Sequence, residues 1–276
     1  MAQIINTNMA SLNAQRNLNA TNSALALAVQ RLSSGMRVNS AKDDAAGLAI
    51  AERMNVQIRG MNVAIRNAND GISMAQVAEG ALGKVSDMLQ RMRELAVQSS
   101  NATNGSSDRA NLDAEFQQLS SEVTRTLAGT RFNGLAILNG SAGSQTYQIG
   151  AGTTANDSFT VVTTNLAARS EVTNVTSGDI KTVSASSTAM TNIDSMLDLV
   201  NTERATWGAT QNRFEAIISN LQVSAENQAA ARSRIMDADF AAETAALTRA
   251  QVLQQAGTAM LAQANQLPNN VLNLLR

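Results

Sequence analysis

The sequence predicts a mainly α-helical protein. It reads as a long antiparallel helical rod, coiled-coil-like in its packing, with a small β-hairpin region and with its N- and C-terminal helices paired at one end. Three observations lead there. Residues 44–98 carry apolar side chains at alternating spacings of three and four, with no proline. Residues 190–235 repeat a seam every seven positions. Aromatic residues are only 3% of the chain while the wider apolar set is 44%, a composition that suits close-packed helices.

Residues 1–43 come first. Ile5, Met9, Leu12, Leu18, Leu25, Val29 and Leu32 form a heptad-like pattern filled with Asn and Ala. Arg16, Arg31, Arg37 and Lys42 precede the first acid, Asp43. They read either as a solvated face or as contacts to acidic groups of a neighbouring chain. Ser33, Ser34 and Gly35 break this helix, and the run to Lys42 reads as an extended linker. Asp43 and Asp44 then open the long helix, where acids favour the N-terminal dipole.

The stripe of that helix is Met54, Ile58, Met61, Ile65, Ala68, Ile72, Ala75, Ala78, Leu82, Val85, Leu89, Met92 and Ala96. Two successive steps of three at 72–75–78 shift the seam as a stammer does. At 1.5 Å per residue the helix is on the order of 80 Å long. A rod with one apolar stripe requires partner helices.

Residues 101–107 are a turn by composition. Ser107 or Asp108 caps a third helix with the stripe Leu112, Phe116, Leu119, Val123 and Leu127, ended by Gly129 and short enough to fold back antiparallel. From about 130 to 189 the chain turns to Thr, Ser, Gly, Asn and Val. Asn133-Gly134 and Asn139-Gly140 are turn signals, and 147–149 with 159–162 predict a small β-hairpin. The remainder of this stretch reads as irregular surface chain or weak strand.

In the second long helix Ile193, Val200, Trp207, Phe214, Leu221, Gln228 and Ile235 fill one heptad position. Met190, Leu197, Arg204, Gln211, Ile218, Ala225 and Arg232 fill the complementary one. Trp207 and Phe214 read as core anchors. Asp237 and Asp239 break the seam. A last helix carries Phe240, Leu247, Leu253, Met260, Leu261 and Leu267, is interrupted at Pro268, and leads to Val271, Leu272, Leu274 and Leu275. The layout is nearly palindromic, with boundaries at 1–43, 44–236 and 237–276.

The residue inventory excludes much chemistry. The chain has no histidine and no cysteine, which removes thiol nucleophiles, the usual zinc sites and Ser-His-Asp triads. Asp43/Asp44 and Asp237/Asp239 read as helix caps rather than catalytic pairs. Glycines 60, 71, 80 and 83 form no phosphate loop. They read as points of close helix approach or bending, at about 1 kcal/mol each against Ala. A net charge of −1 and the lack of a dense basic run argue against nucleic acid. No apolar run approaches the ~20 residues of a membrane span, and residues 1–8 lack the marks of a cleaved signal. The expectation is a non-enzymatic structural or interaction protein without metal or cofactor. Its terminal helices are too short to stand alone and should order on pairing and assembly.

Five segments then carry a resemblance: Ala2–Asn8, Arg31–Gly47 (RLSSGMRVNSAKDDAAG), Leu89–Gln98 (LQRMRELAVQ), Ser233–Asp239 (SRIMDAD) and Gln254–Asn265 (QQAGTAMLAQAN). Together they closely resemble bacterial flagellin over roughly residues 1–140 and 190–276. The middle departs, because many flagellins insert large outer domains where this chain has only a short β region. The chain therefore resembles a minimal flagellin.

The resemblance implies a subunit that polymerises into the helical tube of the flagellar filament, secreted and extracellular. Residues 1–43 and 237–276 would form the inner, D0-type helices, and 44–236 the D1-type rod. Assembly contacts would fall on Ile5, Leu12, Leu18, Leu25, Leu32, Leu247, Leu261, Val271, Leu272, Leu274 and Leu275. Implied partners are further copies of the chain, an export chaperone, and cap and hook-junction proteins. Export would use the flagellar type III apparatus. In animal hosts the implied partners are a flagellin-sensing Toll-like receptor, matched here at Gln90, Arg91, Leu95 and Glu115, and a cytosolic sensor. Two alternatives stand beside it. A non-filament signalling coiled coil shares the heptads but would need a membrane span or signalling tip. A flagellin bearing a zinc protease would need histidines.

Overall fold

The computed structural model describes residues 7–274. It contains helices α1 (Met9–Ser34), α2 (Ala45–Ser99) and α3 (Ser106–Gly129), then strands β1 (Arg131–Phe132), β2 (Leu135–Ala136), β3 (Ser144–Gln148) and β4 (Ser158–Val162). Helices α4 (Ser170–Thr176), α5 (Val183–Met236) and α6 (Phe240–Leu274) complete it. Two compact units emerge: Val56–Glu226, and the residues up to Asn55 together with those from Asn227 on.

Within the unit 56–226, α2 and α5 run antiparallel. Arg93 pairs with Asp194 at 2.7 Å, Arg204 with Glu79 at 2.9 Å, and Gly71 faces Phe214. The α2 stripe is fully buried at Ala68, Ala75, Ala78, Leu82, Val85, Leu89, Met92 and Ala96. It meets Ile193, Val200, Trp207 and Phe214 of α5 and Phe116, Val123 and Leu127 of α3 in one core. The first heptad position of α5 is thus the core position down to Phe214, and Trp207 and Phe214 are anchors as expected. The complementary position, Met190 to Ile218, is only half-buried.

α3 folds back along α2, and Arg109 Nε donates to the Ser99 carbonyl at 2.8 Å. Its buried Asp113 accepts the Ile180 amide at 3.0 Å and faces Lys181 at 3.5 Å. Gln117 donates to the Gly178 carbonyl and Ser120 to that of Thr176, so the chain at 176–181 lies antiparallel to α3.

The predicted hairpin is present: β3 and β4 pair antiparallel from Ser144↔Val162 to Gln148↔Ser158. Three features correct the expectation for 130–189. Asn133-Gly134 closes a second hairpin, β1–β2, with φ of 46° and 82°, the left-handed pair that a two-residue turn requires. α4 replaces weak strand and buries Val172 and Val175. α5 starts at Val183 rather than 190, with Ser186 wholly buried and bonded to the carbonyls of Ile180 and Thr182.

In the other unit α1 and α6 pair antiparallel. Gln254 Nε2 donates to Asn22 Oδ1 at 2.9 Å, Ser11 Oγ to Asn265 Oδ1 at 2.8 Å, and Arg31 lies 3.8 Å from Glu243. α1 ends at Gly35, whose φ of 70° is the left-handed cap that favours glycine. Met36 then bridges to Asp237, Arg37 N donates to Met236 O, and Ala238 N returns to Gly35 O. Val38, Ala51 and Met236 form a small core with Met36, Leu48 and Ile235. That core draws the first turns of α2 and the end of α5 into this unit.

Of the four aspartates expected to cap, Asp44 and Asp239 do, while Asp237 accepts the Ser233 hydroxyl at 2.6 Å instead. Asp44 Oδ1 accepts Gly47 N at 2.8 Å and Asp239 Oδ1 accepts Ala241 N at 2.9 Å. Asp43 instead ties the loop, taking the amides of Ser40 and Asn39 and the Ser40 hydroxyl. These bonds, the Ser40 amide foremost, hold its carboxyl below the ordinary value of 3.8. Pro268 does not interrupt α6, which continues to Leu274.

Candidate assembly and recognition surfaces

The α1/α6 pair is seated on small residues. Ala28, Ala250, Ala264 and Ser11 are its buried members, and Gly257 brings α6 so close that a Cβ there would sit 3.2 Å from Leu18 Cδ1. The leucines expected to make assembly contacts are not among these buried members. Leu12 is 47% exposed, and Leu18, Leu25, Leu32, Leu247 and Leu261 are half-buried. Ile5 and Leu275, and the side chains of Val271, Leu272 and Leu274, lie outside the described residues.

Other apolar side chains on these helices stay uncovered. Val29, Phe240, Val252, Leu253 and Met260 are all more than half exposed. An open groove of ≈ 430 Å³ runs between the helices, lined by Ala10, Ala14, Leu18, Leu253, Gly257 and Met260 among others. Burying such surface is worth about 25 cal/mol per Å², so this face gains free energy from any well-fitted apolar neighbour.

The second surface lies on α2 and α3. Arg91 Nε donates to Glu115 Oε1 at 3.0 Å, its Nη2 lies 2.9 Å from the same oxygen, and its Nη1 donates to Glu94 Oε2 at 3.0 Å. Bonding to Glu94 and then Glu115 raises the Arg91 pKa further, so the group is always charged. The exposed fork is thereby held in one orientation. Gln90 and Glu115 are exposed beside it. Leu95 is not a surface residue: at 1% exposure it belongs to the core, because α3 and α5 both pack on α2 and widen its buried face. The exposed apolar side chain here is Val97, which shares a shallow groove with Gln90, Arg93, Glu94 and Gln98. Sequence spacing missed Val97 because it lies off the main stripe.

Among the described residues no cluster of acidic side chains could hold a metal ion, and no helix is long and apolar enough to cross a membrane. The paired terminal helices leave apolar surface uncovered, as a chain that packs against further copies would. The relatives agree. The model of the bacterial flagellin N-terminal helical region matches residues 5–143, and that of the C-terminal helical region matches 190–275. A flagellin of Halalkalibacterium halodurans is 46% identical over 273 residues, spanning 99% of this chain and all of that protein. Flagellin B of Vibrio cholerae is 36% identical over 375 aligned residues, covering both chains fully. A crystal structure of Bacillus cereus flagellin superposes with a TM-score of 0.50 at 30% identity, over 60% of this chain and 94% of that one. The chain belongs to the bacterial flagellin family, whose members are structural subunits that self-assemble into the flagellar filament and are not enzymes. Family membership displaces the signalling coiled coil.

Proposed function

We propose that this chain is exported unfolded through a type III apparatus and assembles outside the cell. In this reading residues 1–43 and 237–276 pack against the same segments of neighbouring copies, and 44–236 form the rod that surrounds them. The observation that carries it is the set of apolar side chains left uncovered on α1 and α6, among which Phe240 is 57% and Leu253 51% exposed. A chaperone in the cytoplasm would shield them before export, and cap and hook-junction proteins would meet them at the ends of the filament.

Seeded elongation tests the reading. Purified chain added to sheared filament fragments should lengthen them, and a chain lacking residues 267–276 should not, while keeping the helicity of residues 56–226. The deletion removes Leu267, Val271, Leu272, Leu274 and Leu275, at about 1.5–3 kcal/mol for each aliphatic side chain that assembly fully buries. Normal elongation by the truncated chain would overturn the assignment of assembly to these helices.

A second surface supports a further role. Gln90, Arg91 and Glu115 present a fixed, charged patch with Val97 beside it. We propose this patch as the contact for a flagellin-sensing Toll-like receptor of animals, with Leu95 supporting it from beneath. The leucine-rich C-terminus is proposed for a cytosolic sensor.

A further inference from the structure

Methionine is spread along the chain, and among the described residues its exposed members lie on the terminal helices. Among the described residues, Met9 and Met260 are 66% and 63% exposed, while every other methionine is half-buried or buried. Met92 and Met196 are wholly enclosed in the core of residues 56–226. Both exposed methionines stand on the terminal helix pair. Met260 rims the groove between α6 and α1, beside Leu253 and Gly257. Met9 opens α1, and its neighbour Asn8 bonds to Ala264, one turn beyond Met260.

From this placement we infer that Met9 and Met260 form an oxidation-sensitive site, at which a hydroperoxide reversibly stops the chain from joining a filament. The inference rests on the proposed role of the α1/α6 face in assembly. The sulfur lone pair attacks the terminal oxygen of the peroxide. The S–O bond forms as the O–O bond breaks, sulfur gives up two electrons, and with hydrogen peroxide the hydroxide that leaves takes up the displaced proton as water. The product sulfoxide is polar, chiral and a strong hydrogen-bond acceptor. A flexible apolar side chain suited to irregular contacts becomes one that must be desolvated before a second copy can cover it. Selectivity follows from access, because the enclosed thioethers are kept from the oxidant by the packed core.

The experiment treats purified monomer with dilute hydrogen peroxide, maps sulfoxides by peptide mass spectrometry and follows seeded elongation by light scattering. Met9 and Met260 should oxidise at least roughly tenfold faster than Met92 and Met196, and elongation should slow by roughly fivefold or more at unchanged helicity. Methionine sulfoxide reductase should restore the rate. The double variant Met9→Leu/Met260→Leu keeps apolar volume and should elongate at the same rate with or without peroxide. Met260→Gln, with a permanent polar group, should elongate slowly without any oxidant. Untreated chain that fails to elongate seeds would remove the assembly reading and this inference with it. Untreated chain that elongates, and elongates equally fast with both positions shown to be sulfoxides, would overturn the inference alone. So would a double variant that peroxide slows as much as the parent.

Discussion

Asn8 Nδ2 donates to the carbonyl of Ala264 at 2.7 Å. That carbonyl is the one to which residue 268 would donate in a regular helix, and residue 268 is proline, which has no N–H. One amide from α1 therefore satisfies the group that Pro268 leaves open in α6. The same side chain uses its oxygen to accept Ser11 N at 3.0 Å and so caps α1. A single residue starts one helix and repairs the other.

The two roles separate by substitution. Asn8→Asp keeps the cap and loses the donor, while Asn8→Ala loses both. Loss of the cap costs about 1 kcal/mol, and an unpaired acceptor costs about 1–3 kcal/mol where it is buried. Pro268→Ala restores the helix's own donor, so it should rescue Asn8→Asp far more than Asn8→Ala. The check is hydrogen exchange of the α6 amides in assembled filament across this double-mutant cycle. Equal exchange in the parent and Asn8→Asp would show that the Ala264 contact contributes nothing.

Glycines on α2 divide by what stands opposite them. A Cβ at Gly71 would lie 2.4 Å from Phe214 Cζ, whereas nothing lies within 4 Å of one at Gly80. Phe214 cannot yield easily, because it meets Tyr147 and Phe159 edge-on at 5.4 and 4.9 Å. Gly71→Ala should cost about 1–3 kcal/mol of overpacking, which outweighs roughly 1 kcal/mol of improved helix propensity. Gly80→Ala keeps only that gain and should stabilise. Urea denaturation of the monomer, followed by helicity, should move in opposite directions for the two variants.

Acid should weaken the monomer while neutral pH leaves it unchanged. The chain has no histidine, so no side chain of ordinary pKa titrates between roughly pH 5 and 8. Asp194 is held below 3.8 by the hydrogen bond from Arg93, and Asp157 by its bonds to the Thr154 hydroxyl and amide. A carboxyl whose folded pKa is depressed contributes stability above its unfolded value and loses it as pH falls through the folded one. The melting temperature should therefore be level from about pH 8 to 5 and drop below about pH 4. Asp194→Asn should make that drop shallower. An equal slope in the variant would assign the acid loss to other carboxyls.

Periodicity made the long helices legible because burial in them is one-sided and apolar. From Ala68 onward nearly every stripe residue of α2 is enclosed. The reading failed where burial is polar or brief. The first turns of α5 pack through Ser186, which no hydropathy pattern reveals. α4 buries only Val172 and Val175 in seven residues, too few for a period, and its β-branched residues resemble strand. At the closest approach of α1 and α6 sit alanine and glycine, which a leucine heptad pattern does not mark. Leu95 stands as a receptor match through the resemblance alone, and it is enclosed because both α3 and α5 pack on α2.

Arg91 and Leu95 thus make opposite predictions for receptor recognition. Arg91→Ala removes a surface fork whose pairs with Glu94 and Glu115 are exposed at both ends, and such pairs contribute about 0–1 kcal/mol to folding. Its monomer should melt almost as the parent does. If the patch is the receptor contact, losing a pre-oriented guanidinium should raise the half-maximal concentration by roughly tenfold or more, about 1.4 kcal/mol. Arg91→Lys should recover little, since an ammonium cannot reach both carboxylates as a planar fork does. Leu95→Ala instead leaves a cavity in the core at about 2–5 kcal/mol, so its response should fall only in step with lost helicity. A receptor-reporter titration of the three monomers, each paired with a melting curve, separates the cases. An Arg91→Ala monomer with unchanged half-maximal concentration would remove the receptor role from Arg91 and leave it an assembly contact.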